Sequence, residues 1–161
     1  MNWPLVKTAI FIAVVPGTVA ILIPQRLRWQ GPAVGHAPQA IQALGMLLFV
    51  LGVAISLWCA WDFAMKGKGT PLPIDAPRLL VVNGLYRYTR NPMYVGVASL
   101  IFGQAIFNYS GSIAVYGCAV ITAFYLFVRL YEEPTLRRTF GQQYEDYCRR
   151  VPRWLPRFRG A

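Results

Sequence analysis

The sequence predicts an all-α fold: an integral-membrane helical bundle of about four transmembrane helices, with a cytosolic loop and a C-terminal interfacial helix gathered at one side. Three observations predict it. Of the 161 residues, 56% are hydrophobic. Only 14% are charged, against about 25% in an ordinary soluble domain. The charges also fall almost entirely outside four long apolar runs, the distribution expected when such runs sit in lipid. A chain of this length makes one domain, residues 1–161.

The first run covers residues 5–23, with Trp3 as an interfacial anchor and Pro16 as a kink. Lys7 ahead of an apolar stretch also suits a signal peptide. No small-residue cleavage site follows, however, and Pro16-Gly17 interrupts the stretch, so a retained span is expected. The second run, 40–63, ends in Trp58 and Trp61 with Asp62 at its boundary. The third, 93–108, is short: a helix from Pro92 to Tyr109 would be about 27 Å long, just enough to cross. The fourth, 112–130, is long enough without strain. Asn108-Tyr109-Ser110-Gly111 between the last two is an uncharged tight turn, so these runs form a helical hairpin.

Charge orients the bundle. Residues 65–92 hold Lys66, Lys68, Arg78, Arg87 and Arg90 against Asp75 alone, and the tail from Arg129 is rich in arginine. By the positive-inside bias both face the cytoplasm. Arg26 and Arg28, in the connection placed outside, run against that bias. The net charge of +10 lies beside membrane segments, which favours anionic lipid headgroups over nucleic acid as the partner. Cys59, Cys118 and Cys148 are isolated, and the one histidine, His36, lies in a short polar connection. No metal site is expected.

The connection from Lys66 to Arg90 is long and rich in Gly and Pro, and long loops in compact domains are usually functional or disordered. Leu79-Leu80-Val81-Val82 argues against disorder, because an apolar patch must pack on something. The tail opens as a helix with Phe140, Tyr144 and Tyr147 on one face, then breaks at Pro152 and Pro156. It should lie along the membrane surface and cap whatever the loop builds.

Chemistry concentrates in two blocks. In residues 84–96, Tyr86, Tyr88 and Tyr94 are woven with Arg87, Arg90 and Asn91. An interfacial aromatic belt and the positive-inside bias explain some of these residues; together they suit a cofactor bearing both signs of charge. Gly96, Ser99 and Gly103 form a small-residue stripe that serves close helix packing or leaves room for a ligand near Gly96. In the second block, Glu132-Glu133 directly follows the fourth run, where carboxylates are costly unless paired. Arg129 offers a local ion pair. Adjacent helical residues diverge by about 100°, so one carboxylate can pair structurally while the other faces the loop.

These blocks carry a resemblance. Gly84, Tyr86, Arg90-Asn91-Pro92, Tyr94 and Gly96 come first, followed by an apolar hairpin. Glu132-Glu133, Leu136, Phe140-Gly141, Tyr144, Tyr147 and Val151-Pro152 come next. The order and spacing, over roughly residues 78–156, resemble the isoprenylcysteine carboxyl methyltransferases and their phospholipid-methyltransferase relatives.

The resemblance implies S-adenosylmethionine as methyl donor in a cytosol-facing pocket built from segments 78–96 and 129–156. It implies a lipophilic methyl acceptor entering from the bilayer. By position, Arg78, Leu79, Leu80 and Val81 form a loop wall against the cofactor. Tyr86, Arg90, Asn91, Pro92, Met93, Tyr94 and Gly96 line it, and Glu132 takes a cationic or hydroxyl group. Arg129 would meet an acceptor carboxylate. From the residues themselves, an amine or hydroxyl acceptor needs a base, and Glu132, Glu133 or a tyrosine are the candidates. Asn91 stands where the prenylcysteine enzymes have histidine; asparagine can donate and accept hydrogen bonds there but cannot be protonated.

Methyl transfer from a sulfonium needs alignment and dryness rather than a nucleophilic triad, metal or phosphate loop. Competing expectations are weaker. A small four-span transporter should carry an ionisable group in mid-membrane, whereas Asp62 and Arg129 lie at span ends. A nicotinamide-dependent membrane reductase should show a Gly-rich dinucleotide fingerprint, which is absent. A non-catalytic scaffold has no use for the two blocks. The small-residue stripe would permit a homodimer.

Overall fold

The computed structural model describes residues 16–30, 38–62 and 80–155, with the backbone alone at Trp29 and Gln30. Among these residues all regular structure is helical and no strand occurs, so the expected all-α class holds. Most of the first expected span, together with Lys66, Lys68, Asp75, Arg78, Leu79 and Pro156, lies outside the described residues.

The chain is helical from Pro16. A π turn, Thr18–Leu22, leads into α1, Ile23–Gln30, so the helix continues past Ile23 and through Pro24. Proline has no N–H for the preceding turn, and its ring clashes with the carbonyl four residues back. The wide turn just before Pro24 relieves that clash. The Val19 and Ala20 carbonyls, which Pro24 cannot serve, accept from other helices: Tyr116 Oη donates to Val19 O at 2.9 Å, and Gln104 Nε2 donates to Ala20 O. The backbone stays satisfied through tertiary contacts.

Helix α2, Gln39–Asp62, and α3, Pro92–Phe107, pack along their length. Pro92 sits at the first helical position, where its missing N–H is harmless. The contact is backbone on backbone. A Cβ at Gly103 would lie 2.7 Å from Phe49 N and 2.9 Å from Gly45 O. One at Gly52 would lie 2.8 Å from Gly96 O. Gly45 and Gly52 on one helix thus mesh with Gly96 and Gly103 on the other, each pair two turns apart. Beside this contact α3 buries Val97, Ile101 and Ala105 in a cluster with Ala20 and Ile113, and Leu100, which also meets Gly52 of α2, joins it.

After a turn in which Tyr109 takes φ 50°, Ser110 caps α4, Gly111–Phe127, by accepting from Ile113 N at 3.4 Å. A second π turn, Val128–Glu132, joins α4 to α5, Glu133–Phe140. Pro134 follows this turn at the same offset as Pro24 follows the first, and the same ring clash explains both. Residues 111–140 are therefore one helix of 30 residues. That helix and α2 are long and apolar enough to cross a membrane, while α3 is apolar but shorter. The tail is not one helix: Gly141, at φ 50°, ends α5, and α6, Gln142–Arg150, starts in a new direction. Positive φ favours glycine. Tyr144 and Tyr147 are nonetheless buried together with Phe140 against them.

Candidate functional site

The two polar blocks meet where α2 ends, α3 begins and the second π turn lies. Residues 80–91 are held there from both sides. Val81 and Tyr86 pack with Cys59 of α2, and Met93 joins them. Leu80 packs into the tail cluster of Tyr144, Tyr147 and Val151. Within the apolar loop patch, Val81 and Leu80 thus find partners in α2 and the tail, while Val82 is exposed. Gly84 takes φ 60° with the Asp62 carboxylate where a Cβ would stand, which sets the turn that buries Tyr86.

A latch then binds loop to tail. Three successive loop residues catch three successive tail carbonyls. Arg90 N donates to Pro152 O at 2.9 Å, and Asn91 Nδ2 donates to Arg153 O at 3.0 Å. Thr89 Oγ1 lies 3.0 Å from both Arg153 O and Trp154 O. Beneath them Glu133, 5% exposed, is held by two guanidiniums. Arg153 Nε and Nη2 reach its two oxygens at 2.7 Å each, and Arg90 Nη1 reaches Oε1 at 3.0 Å. Arg90 Nη1 also contacts Cys148 Sγ at 2.7 Å, and Tyr147 Oη donates to Tyr86 O at 2.6 Å. A buried carboxylate is tolerable when it is paired and fully hydrogen-bonded, as here.

Glu132, one residue away, points elsewhere. Its Oε2 accepts from Tyr94 Oη at 2.8 Å. The Tyr94 ring lies against Phe124, with centroids 4.7 Å apart, and near Trp154 at 6.4 Å. These three rings form one end of a cavity of about 660 Å³ between α2, α3 and α4. Val95, Ala98 and Phe102 floor it, and Ile121, Thr122 and Tyr125 form an exposed outer lip. Trp154 closes the polar end, and its indole Nε1 is buried without a hydrogen-bond partner among the described residues.

Arg129 is exposed and donates to Tyr125 Oη at 2.9 Å, which puts a cation on the lip of the cavity. The carboxylates pair with Arg90 and Arg153 and with Tyr94 rather than with Arg129. Gly96 meets Ser56 Oγ and Ile55 at the α2 contact, so there its missing side chain serves packing. Pro92 and Asn91 are buried at the latch.

Burial pushes the Tyr86, Tyr144 and Tyr147 hydroxyls above the ordinary tyrosine value. They stay protonated at neutral pH, as donors rather than bases. Its bonds to Glu133 hold Arg153 above the usual arginine value. Sequence reasoning did not single out Thr89, Tyr125, Arg153 or Trp154. The one available signal was the need of a buried carboxylate for a cation, and an arginine-rich tail offers too many candidates.

Fold and site together define a class: an apolar helical bundle with a polar latch at one end and a lip-open apolar cavity beneath it. The profile of the phospholipid methyltransferase family matches residues 40–143. This is more than half of the chain, which belongs to that family. Protein-S-isoprenylcysteine O-methyltransferase B of Arabidopsis thaliana is 32% identical over 77 residues, 48% of this chain and 39% of that protein. The nickel-cobalt-cadmium resistance protein NccN of Alcaligenes xylosoxydans xylosoxydans is 26% identical over 155 residues, 96% of this chain and 63% of that protein. The chain thus spans less than two thirds of either relative. No solved structure matches.

Proposed function

We propose that this chain is a multi-pass membrane methyltransferase that moves a methyl group from S-adenosylmethionine to a lipophilic acceptor, with latch and tail on the cytoplasmic side. The observation that carries the reading is the Glu132–Tyr94–Trp154 cluster at the polar end of an apolar cavity, in a chain of this family.

The residues present fit the donor. A zwitterionic sulfonium needs a carboxylate for its ammonium, an aromatic face for its positive sulfur, and hydrogen-bond donors. Glu132 gives one oxygen to Tyr94 and has no other hydrogen bond among the described residues. The Tyr94 and Trp154 rings supply faces suited to a cation. When bound, the sulfonium supplies an already activated methyl group. Glu132 and Tyr94 then anchor and orient, and Trp154 with the latch keeps the end of the cavity dry, which strengthens every charge interaction inside. Glu133 has both oxygens engaged by arginines, so we assign it to holding the latch rather than to proton transfer. Arg129, on the lip, is placed to meet an anionic acceptor head.

The test is binding of S-adenosylmethionine, or its demethylated product, to the detergent-purified chain. Saturable binding is expected. Glu132→Ala should weaken it roughly tenfold or more, the range for a hydrogen bond to a charged group. Absence of binding at millimolar ligand overturns the reading; unchanged affinity in the variant removes Glu132 from the donor site. Incubation with native lipid extract and labelled donor then identifies the acceptor.

The likeness to the resistance protein, which runs along nearly the whole chain, favours a second reading in metal tolerance. Among the described residues no group of three or more His, Cys, Asp or Glu side chains could hold a metal ion. Direct titration with nickel, cobalt and cadmium separates the two.

A further inference from the structure

We infer that Trp154 is the specificity-determining residue of the acceptor site: it is the end stop that fixes how deep a single apolar chain lies in the cavity, and so where that chain's polar head sits. The inference rests on the methyltransferase reading and names the substrate class, a one-chain lipophile with a polar head.

The cavity has a direction. On α3 its wall runs from Tyr94 to Phe102, about 12 Å of helix. The far end is apolar, with Phe102 and Leu48. The near end carries the Tyr94–Glu132 bond and the Tyr125–Arg129 bond. One end therefore suits hydrocarbon and the other a polar head, which is the pattern of an amphiphile. A volume of about 660 Å³ falls in the range that encloses one ligand of drug size. That is one chain, not the paired chains of a diacyl lipid. The exposed lip of Ile121, Thr122 and Tyr125 gives such a chain a sideways path from a bilayer.

Among the described residues, Trp154 is the one wall residue contributed by the tail; the others come from the helices. Its position is set by the latch, since the carbonyls of Pro152, Arg153 and Trp154 are all taken by the loop and the Arg153 side chain is pinned on Glu133. An indole held by its backbone on both flanks is a rigid stop. Tyr94 and Phe124 share the polar end with it but are fixed on their helices, so Trp154 is the part of that end whose position the latch sets. The same latch that joins the two blocks therefore also measures the acceptor.

The experiment uses the full chain in detergent and a graded series of dansyl-labelled single alkyl chains, which cannot be methylated. The wild-type protein should bind them saturably with an optimum chain length. Trp154→Ala should move that optimum to longer chains, with about fourfold tighter binding for each methylene newly accommodated, the ratio expected from burying one such group. S-adenosylmethionine binding, measured alongside, reports the methyltransferase reading independently. If Trp154→Ala does not fold, Trp154→Leu should give a smaller shift in the same direction. An identical chain-length profile in a folded variant, or no saturable binding by the wild type, overturns the inference. Bound donor with no bound chain would leave the enzyme reading standing while removing this one.

Discussion

The α2–α3 contact and the latch are built from opposite materials. Along α2 and α3, four glycines let backbone touch backbone, and no charged side chain takes part in the mesh. At the latch, a carboxylate, two guanidiniums and three loop donors fill a few buried positions with hydrogen bonds. Surrounding lipid is as apolar as the helices, so it supplies no hydrophobic drive for their contact, and association there depends on shape. The latch depends instead on completeness, because every buried polar group that loses a partner keeps its desolvation cost. The two regions should therefore fail in opposite ways: the first when an atom is added, the second when one is removed.

The largest effect is expected at the latch. Glu133→Gln keeps the shape and removes the charge from between Arg90 and Arg153, whose side chains are 11% and 30% exposed. Breaking a buried pair on one side costs about 3–5 kcal/mol. The exposure of Arg153 puts the expected loss at the lower end of that range. Thermal unfolding in detergent measures it, and faster proteolysis within the tail should accompany the loss. A variant as stable as the wild type would show that the carboxylate does not hold the tail.

A smaller but sharper effect is expected in the helix contact. Gly103→Ala places its methyl among backbone atoms alone, at 2.7–2.9 Å, and backbone cannot step aside. A cost of about 1–3 kcal/mol is expected for such overpacking. Gly96→Ala meets Ser56 Oγ first, at 2.7 Å, and a serine side chain can rotate. Its cost should be clearly lower. Equal losses at the two sites would mean that the helices shift as rigid bodies, and the argument from shape would fail.

The same contrast explains what the sequence disclosed. Apolar runs are written residue by residue, so the helices at 39–62, 92–107 and 111–127 lie close to the expected stretches. The meeting of the two blocks was legible because paired charges and aromatics at span ends demand partners. Three features were not legible, since each depends on distant residues. The helix continues through Pro24 because Gln104 and Tyr116, 84 and 97 positions after the carbonyls they serve, satisfy them. The tail divides at Gly141, whose positive φ no aromatic periodicity reveals. Arg153 and Trp154 gain their roles only once the loop has gripped the three carbonyls around them. The second glycine pair, Gly45 and Gly52, could have been found by looking for the same seven-residue interval seen in Gly96 and Gly103.

Arg129 belongs to neither region, which makes it the finest test of the division. It is exposed, and it bonds the Tyr125 hydroxyl on the cavity lip rather than any latch carboxylate. If side chains on the lip serve the acceptor and not the fold, Arg129→Gln should leave the melting temperature unchanged, as most surface substitutions do. Affinity for single-chain ligands with an anionic head should fall roughly tenfold, the loss of one charge-assisted bond, while ligands with a neutral head bind as before. A fall in stability would instead assign Arg129 to the latch. Equal loss for both kinds of head would mean that the guanidinium shapes the lip through Tyr125 and reads no charge.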